Sequence, residues 1–497
     1  MNAKSLRSLL DGIATLGDRD IVVSGLTLDS RQLRAGDAFI ALRGATTHGI
    51  TFAPAVLAQG ASVVLAEAPA PTVSGGPRLP LTDEGGAPVF WIDNLREQVG
   101  EIAARFFERP SAALHVIGVT GTNGKTSIVQ LLAAALEHLD ARAATIGTLG
   151  AGRVGAIESG ERTTPDAISV HALLARFRDE GASHVTMEVS SHALEQGRVN
   201  AIDFEVAVFT NLTRDHLDYH GTMQNYGAAK ARLFAWPRLR CAVINADDAF
   251  GQELIAQVPG RVQLLRYALD AAADVRASDV RTSDEGLQFM LATPWGAGEI
   301  ASRLLGRFNV YNLLAVAACL GALGYKFAQI QNALAQLKPV AGRMNRLGGG
   351  TAPLVVIDYA HTPDALEQAL TSLRAHTRGR LTCVFGCGGE RDTGKRPQMG
   401  AIAERLADEI YVTDDNPRGE NGDAIVAQIL AGLSHAQRAH VQRDRAVAIA
   451  QALRAARGGD VVLIAGKGHE PYQEVAGVKH PFDDLVVARH VLEARAC

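Results

Sequence analysis

Cysteine is scarce in this chain: five among 497 residues, at Cys241, Cys319, Cys383, Cys387 and Cys497. An odd, widely spaced set excludes a disulfide framework and fits reduced thiols in the cytosol. Cys383 and Cys387 have no second pair and no histidine at zinc-finger spacing, so packing in a core or loop is expected of them, not a metal. Charge of one sign is lacking as well. Lys and Arg total 49 against 53 Asp and Glu, a net charge of −4, and no long basic run supplies the footprint that nucleic acid or an anionic membrane requires. Neither partner is expected. Long apolar runs are also missing. The amino-terminal stretch MNAKSLRSLLDGIATLGDRD has no signal-peptide core and reads as a short amphipathic helix. The uncharged stretch from Phe308 to Tyr325 is broken by Asn309, Asn312, Gly321 and Gly324, which suits a helix packed inside a soluble domain better than a membrane span.

What is present fits a soluble multidomain protein, with 47% hydrophobic and 21% charged residues. At roughly 100–200 residues per domain the length implies about three. The first ninety or so residues hold short apolar runs divided by Gly and Asp, then a Pro/Gly-rich stretch from Pro69 to Pro88, the pattern of a small α/β domain with a floppy surface loop. Helical spacing over Leu95 to Phe107 ends at Glu108-Arg109-Pro110-Ser111, which sets a boundary near residue 100. From His115 the order is strand, glycine loop, helix, followed by the β-branched runs HVTMEVS, EVAVFTNL and CAVINADD. That order predicts a mostly parallel sheet flanked by helices. After Leu337 to Arg346 the runs LVVIDYA, LTCVFGCGG, EIYVTDD and DVVLIAGKG repeat the theme. The third domain is therefore also α/β, Rossmann-like, with ligands expected at the carboxyl ends of its strands. The domains are expected at 1–100, 101–338 and 339–497.

HVIGVT followed by Gly121-Thr122-Asn123-Gly124-Lys125-Thr126-Ser127 has the parts of a phosphate loop. Glycines let backbone N–H groups converge on phosphate oxygens, Lys125 supplies a cation, and the Thr126 hydroxyl can ligate Mg²⁺. The usual spacing would put glycine at Val119, so this is a variant; the alternative is a plain glycine turn with an exposed lysine. A phosphate loop alone leaves motor, switch, kinase and ligase open.

GTNGKT, MEVSSHAL, NLTRDHLDYHG and YGAAKARLF resemble the ATP-dependent Mur ligases of peptidoglycan synthesis. The likeness continues through FNVYNLLA, GRMNR, DYAHTPDAL, GCGGERDTGKRPQMG, TDDNPRGE and AGKGHE. Within that family the chain looks like the branch that adds meso-diaminopimelate to UDP-N-acetylmuramoyl-L-alanyl-D-glutamate. The resemblance implies an amino-terminal domain for the uridine nucleotide, a central ATPase and a carboxy-terminal domain for the amino acid. It also implies chemistry in which the ATP γ-phosphoryl group activates a carboxylate that an amine then attacks.

By the same resemblance, residues 121–127 with Asn309 and Asn312 bind ATP, although Asn309 equally suits a helix cap. Arg343 and Asp358 reach ATP from the third domain, while His361 and Asp364 brace their loop. Thr126, Glu188, His216 and Lys230 attend Mg²⁺. From residues alone Glu188 reads as a solvated strand-end carboxylate, His216 as a surface donor and Lys230 as a snorkelling surface lysine; the family's YxAAK lysine is carbamylated by CO₂, which turns a cation into an anion able to help place Mg²⁺. Leu28 and Ser30 face the uridine nucleotide, and Thr163, Thr164, Ser190, Gln196 and Arg198 its sugar-phosphate and peptide, though Ser and Thr in turns often satisfy their own backbone. Arg391, Asp415, Asn416, Pro417, Arg418, Gly466 and Glu470 form the diaminopimelate pocket, the alternative for Arg391, Gly466 and Glu470 being a surface salt-bridge loop. Diaminopimelate differs from lysine by one distal carboxylate, which a guanidinium can hold bidentately. A site built around such a partner rejects the analogue lacking it by roughly 10⁴–10⁵. Competing readings are a folylpolyglutamate synthase, which the DNPR and TLDSR segments oppose, a nucleotide-driven switch or motor, and a catalytically dead binding module.

Overall fold

The computed structural model describes residues 3–16, 20–44, 46–69, 89–160, 162–283 and 286–496. The floppy loop expected from Pro69 to Pro88 therefore lies, beyond Pro69, outside the described residues, as does Cys497. The chain divides into two compact units: residues 1–120, 141–207 and 228–240 form the first, and 121–140, 208–227 and 241–497 the second. Both are α/β.

In the first unit the strands Gly25–Thr27, Asp37–Ala41, Val63–Glu67 and Val89–Ile92 pair in chain order, all parallel. The amphipathic helix expected at the amino terminus is short. Lys4–Ser5 instead pairs antiparallel with Val22–Val23, and only Leu6–Leu9 is helical. The Ser5 hydroxyl caps that turn, and Gly12 at a φ of 68° lets the chain reverse, so strand pairing overrides the helical spacing. Leu95–Phe106 is helical as its spacing predicts, and Glu108 and Arg109 at positive φ end it. Its Leu95, Val99 and Ile102 share one core with Leu6, Leu65 and Ile168. A second run of strands, Ala143–Gly147, His184–Glu188 and His115–Thr120, pairs parallel in that spatial order. Gly150–Arg153 and Ala156–Glu158 extend it antiparallel.

The second unit begins with the glycine loop and the helix Lys125–Glu137. Cys241–Asn245, Gln263–Ala268 and Val275–Ser283 pair parallel, and Gly286–Thr293 and Gly296–Ser302 continue them as an antiparallel meander. The uncharged stretch becomes the helix Phe308–Ala322, buried from Val310 through Gly321 except at Tyr311. Its amides are satisfied within the helix and its side chains by protein, which explains why so apolar a segment needs no lipid. No helix among the described residues is long and apolar enough to cross a membrane. The carboxy-terminal strands run in the spatial order Asn345–Gly348, Leu354–Asp358, Val461–Ala465, Leu381–Phe385, Glu409–Val412, His440–Val441. All pairs are parallel but the first. Cys383 and Cys387 are buried in the apolar core on one face of this sheet.

Candidate active site

In the second unit the loop after Thr120 turns on Gly121, whose φ is 142° and where a β-carbon would stand 1.8 Å from Thr210 Oγ1. No other residue fits. Gly124, also at positive φ, opens the helix Lys125–Glu137, and a helix N-terminus favours an anion. Lys125 is not the exposed lysine of a plain turn. It is half-buried, and its Nζ donates to Gly121 O at 2.9 Å and Thr122 O at 2.7 Å. The loop is tied from outside as well: Asn211 Oδ1 accepts from Asn123 N at 2.9 Å, and Thr210 Oγ1 donates to Asn123 O at 2.6 Å.

Beside this loop opens a cavity of about 690 Å³, lined by Asn123, Ser127, Asn312, Arg343, Asp358 and Asp364 among others. The volume suits a nucleotide-sized ligand. A separate cavity of about 770 Å³, lined by Gln288, Arg303 and Arg346, holds none of the expected site residues. Asn312 Nδ2 donates to Asn309 Oδ1 at 2.8 Å, and Asn309 Nδ2 donates to Leu305 O at 2.7 Å. The capping alternative for Asn309 is thereby overturned: it lies inside the helix, whose amino-terminal cap position is Arg307, and its side chain instead fixes the Asn312 amide. Arg343 Nη2 donates to Thr126 Oγ1 at 3.2 Å. Asp358 Oδ2 accepts from Met344 N at 2.9 Å, and burial raises the Asp358 pKa despite Arg343 nearby. His216 has a φ of 53° and a half-exposed ring 3.4 Å from Asp215. Burial opposes ionisation of Asp215, but His216, His361 and Lys125 outweigh it and hold its pKa below the usual value.

The residues expected to hold the amino acid gather at the carboxyl ends of the carboxy-terminal strands. A β-carbon on Gly388 would meet Arg418 Nη1 at 2.9 Å and Arg391 Cγ at 3.9 Å, so both arginines flank that glycine. Arg418 Nη1 donates to Gly389 O at 2.7 Å and its Nε lies 3.5 Å from Glu474. Of Arg391, Gly466 and Glu470, Arg391 is exposed, Gly466 buried and Glu470 half-buried, so a surface salt-bridge loop does not describe all three. Asp415, Asn416 and Pro417 are buried. Burial raises the Asp415 pKa. Gly466 N donates to Asp358 O at 3.1 Å, which joins this loop to the strand leading into the nucleotide cavity. Glu470 Oε2 accepts from Asn416 Nδ2 at 2.8 Å. The residue that sequence reasoning missed is Lys467. Fully buried, it donates to Asn416 Oδ1 at 2.9 Å and Glu470 Oε2 at 3.2 Å. The glycine on either side of it was the available signal.

In the first unit Glu188 is buried, not a solvated strand end, and its Oε1 accepts from Thr148 N at 2.8 Å. Lys230 is 1% exposed, so the snorkelling surface lysine is overturned as well. Leu233, three positions on, is buried too. Thr164 Oγ1 donates to Glu188 O at 2.8 Å and accepts from Ser190 N, and Arg198 Nη1 donates to Thr164 O at 3.0 Å. Gln196 Oε1 accepts from Arg198 Nε at 3.0 Å, and the Thr163 and Thr148 hydroxyls lie 3.1 Å apart. Five expected residues thus form one network with Glu188. The Ser190 hydroxyl also caps its own helix, accepting from Ala193 N. Leu28, Gln196 and Arg198 line a cavity of about 200 Å³ with Arg96 and Arg162. Ser30 begins a short helical turn beside Leu28.

Residues 22–107 match the Mur ligase family catalytic domain, 119–320 the Mur ligase middle domain, and 342–468 the Mur ligase glutamate ligase domain. The UDP-N-acetylmuramoyl-L-alanyl-D-glutamate–2,6-diaminopimelate ligase of Xanthomonas campestris pv. campestris is 57% identical over 99% of this chain and 98% of its own length. The chain belongs to the Mur ligase family. The ligase of the same name from Pseudomonas aeruginosa is 52% identical over 96% of each chain. A solved structure of a ligase of that name is 37% identical, covers both chains completely and superposes with a TM-score of 0.72. The expected α/β class is borne out by this neighbour and by the parallel strand pairs of both units.

Proposed function

We propose that this Mur ligase joins meso-diaminopimelate to UDP-N-acetylmuramoyl-L-alanyl-D-glutamate in the cytoplasm, consuming ATP and releasing ADP and phosphate, as a step of peptidoglycan synthesis. The observation that carries the reading is that two arginines flank Gly388, whose β-carbon would also lie 3.9 Å from Asn416 O, while Asn416 and Lys467 hold Glu470. Guanidinium and carboxylate in one place suit a substrate with ammonium and extra carboxylate groups. Identity of 57% to a ligase named for that substrate supports it.

On this reading a carboxylate oxygen of the dipeptide attacks the γ-phosphorus, ADP leaves, and the diaminopimelate amine then displaces phosphate from the acyl phosphate, losing a proton. Two anions must meet, so positioning and charge neutralisation dominate the work. Residues 121–127 cradle the phosphates, Asn309 and Asn312 face the adenine side, and Arg343 adds a cation where it already touches Thr126. Asp358 fixes Met344 and so Arg343 beside it. Leu28, Ser30, Thr163, Thr164, Ser190, Gln196 and Arg198 hold the uridine-linked dipeptide. Arg391, Asp415, Asn416, Pro417, Arg418, Gly466 and Glu470 hold diaminopimelate. The Thr126 hydroxyl and the Glu188 carboxylate each offer a hard oxygen of the kind Mg²⁺ takes, and His216 and a CO₂-derived carbamate on Lys230 are the further ligands that the family resemblance implies; the ion would neutralise developing phosphoryl charge. Burial of Lys230 fits that modification, because a buried ammonium is costly and its neutral form is the one that reacts with CO₂. Domain roles follow the order uridine nucleotide (1–100), ATP (101–338) and amino acid (339–497).

The test is phosphate release with the uridine-linked dipeptide and ATP, comparing meso-diaminopimelate, L-lysine and no amine. Release with diaminopimelate alone is expected. Turnover without an amine points to a switch or motor, and equal turnover with lysine overturns the specificity.

A further inference from the structure

Tyr359 stands between Arg343 and the 466–470 loop. Its ring lies 4.6 Å from the Arg343 guanidinium, the group that donates to Thr126. The His469 ring is 5.2 Å away, and the Tyr359 hydroxyl faces Glu470 Oε1 at 3.5 Å. One side chain thus contacts the residue that reaches the phosphate loop and the residue expected to hold the amine.

The backbone beneath it is packed without slack. Tyr359 N donates to Gly342 O at 3.0 Å. A β-carbon on Gly342 would lie 2.4 Å from His469 N, and one on Gly468 would lie 2.7 Å from Tyr359 Cβ. Both glycines have positive φ, at 68° and 57°, so no other residue allows the approach. The segment carrying Arg343 and the segment carrying Lys467 and Glu470 are therefore in direct contact through Tyr359. A shift of Arg343 on engaging phosphate cannot leave the 466–470 loop unmoved, because close-packed groups shift together.

We propose that Tyr359 is a positioning residue that couples the two sites, so that a triphosphate engaged by Arg343 sets Glu470 for the incoming amine. The inference rests on the functional reading above. Its consequence is thermodynamic: occupancy of the nucleotide site tightens diaminopimelate binding, and diaminopimelate tightens the nucleotide by the same factor, for which about 5–150-fold is typical of coupled sites.

Calorimetric titration of the full chain with meso-diaminopimelate, the uridine-linked dipeptide present throughout, is done with and without Mg²⁺ and β,γ-methylene ATP. In the wild type the nucleotide analogue should lower the diaminopimelate Kd at least about fivefold. Tyr359→Phe keeps the ring against Arg343 and loses only the hydroxyl, and should cut that factor severalfold. Tyr359→Leu should reduce it to near one. A merely structural tyrosine would change melting temperature and leave the ratio alone. Folded variants that keep the wild-type ratio overturn the coupling, as does a wild type whose Kd ignores the analogue. If Tyr359→Leu does not fold, the Phe variant decides. Failure of the wild type to bind diaminopimelate under any condition overturns the functional reading instead, and the coupling with it.

Discussion

Asn123 of the glycine loop donates its amide to Asp364 Oδ2 at 2.7 Å, across 241 positions of chain. Asp364 sits in the first turn of the helix Pro363–Arg374, which Thr362 caps. Burial raises the Asp364 pKa and the Asn123 bond opposes it. The brace expected of Asp364 is thus a brace of the nucleotide loop itself. Asp364→Ala should loosen Asn123 by about 1–2 kcal/mol, seen as a roughly five- to thirtyfold rise in the KM for ATP. Asp364→Asn keeps an acceptor and should cost less. Steady-state kinetics with varied ATP check this; equal effects of both changes would place the contribution elsewhere.

Arg418 is held by Gly389 O and Glu474 in a left-handed turn at a φ of 52°. Arg418→Ala should raise the diaminopimelate KM by about 10²-fold or more while the ATP KM stays within about threefold. Arg418→Lys should recover little, since an ammonium lacks the planar fork. Parallel rises in both Michaelis constants would remove Arg418 from the amino-acid pocket.

Lys230, 1% exposed, is expected to carry a carbamate. Lys230→Ala should lower kcat by about 10²-fold or more. In wild-type protein kept in ¹³C-bicarbonate, a carbonyl resonance absent from the variant should appear. Free amine alone, together with a fully active Lys230→Ala, would rule the modification out.

His184 stacks on His115 at 4.6 Å between ring centroids, and burial, then His115, lowers its pKa to about 4. His361 and His469 are lowered to about 4 as well, chiefly by burial. In the unfolded chain histidine takes its proton near pH 6.5. Below that value the unfolded state binds protons that the folded state refuses, so stability is full above about pH 6.5 and falls as the pH drops toward 4. Melting temperature measured from pH 8 to 4.5 should fall over this window, and His184→Gln should flatten the slope. A slope unchanged in the variant would assign the loss to other groups.

Much of this was legible in the residues because the signals are local. HVIGVT and GTNGKT predict a strand, a turn that only glycine allows, and a helix, and the strand His115–Thr120 and helix Lys125–Glu137 are where they should be. Burial of polar groups was not legible. Glu188 and Lys230 read as surface residues because nothing nearby in sequence says that other strands and helices cover them. The amino-terminal helix was overestimated for a related reason: the pairing of Lys4–Ser5 with Val22–Val23 is a nonlocal preference that outweighs helical spacing over a few residues.

By itself, the order of amino acids determined the α/β class, the strand–glycine loop–helix at 115–137 and the motifs that mark a Mur ligase, since these depend on backbone propensity and on spacing over a few positions. Tertiary structure decided which carboxylates and cations meet. Lys467 between Asn416 and Glu470, Asn123 on Asp364, and Arg343 on Thr126 are contacts between segments 51, 241 and 217 residues apart or bridged by such segments. A polar group's worth depends on its partner and on exclusion of water, and both are properties of the folded chain, not of its neighbours in sequence.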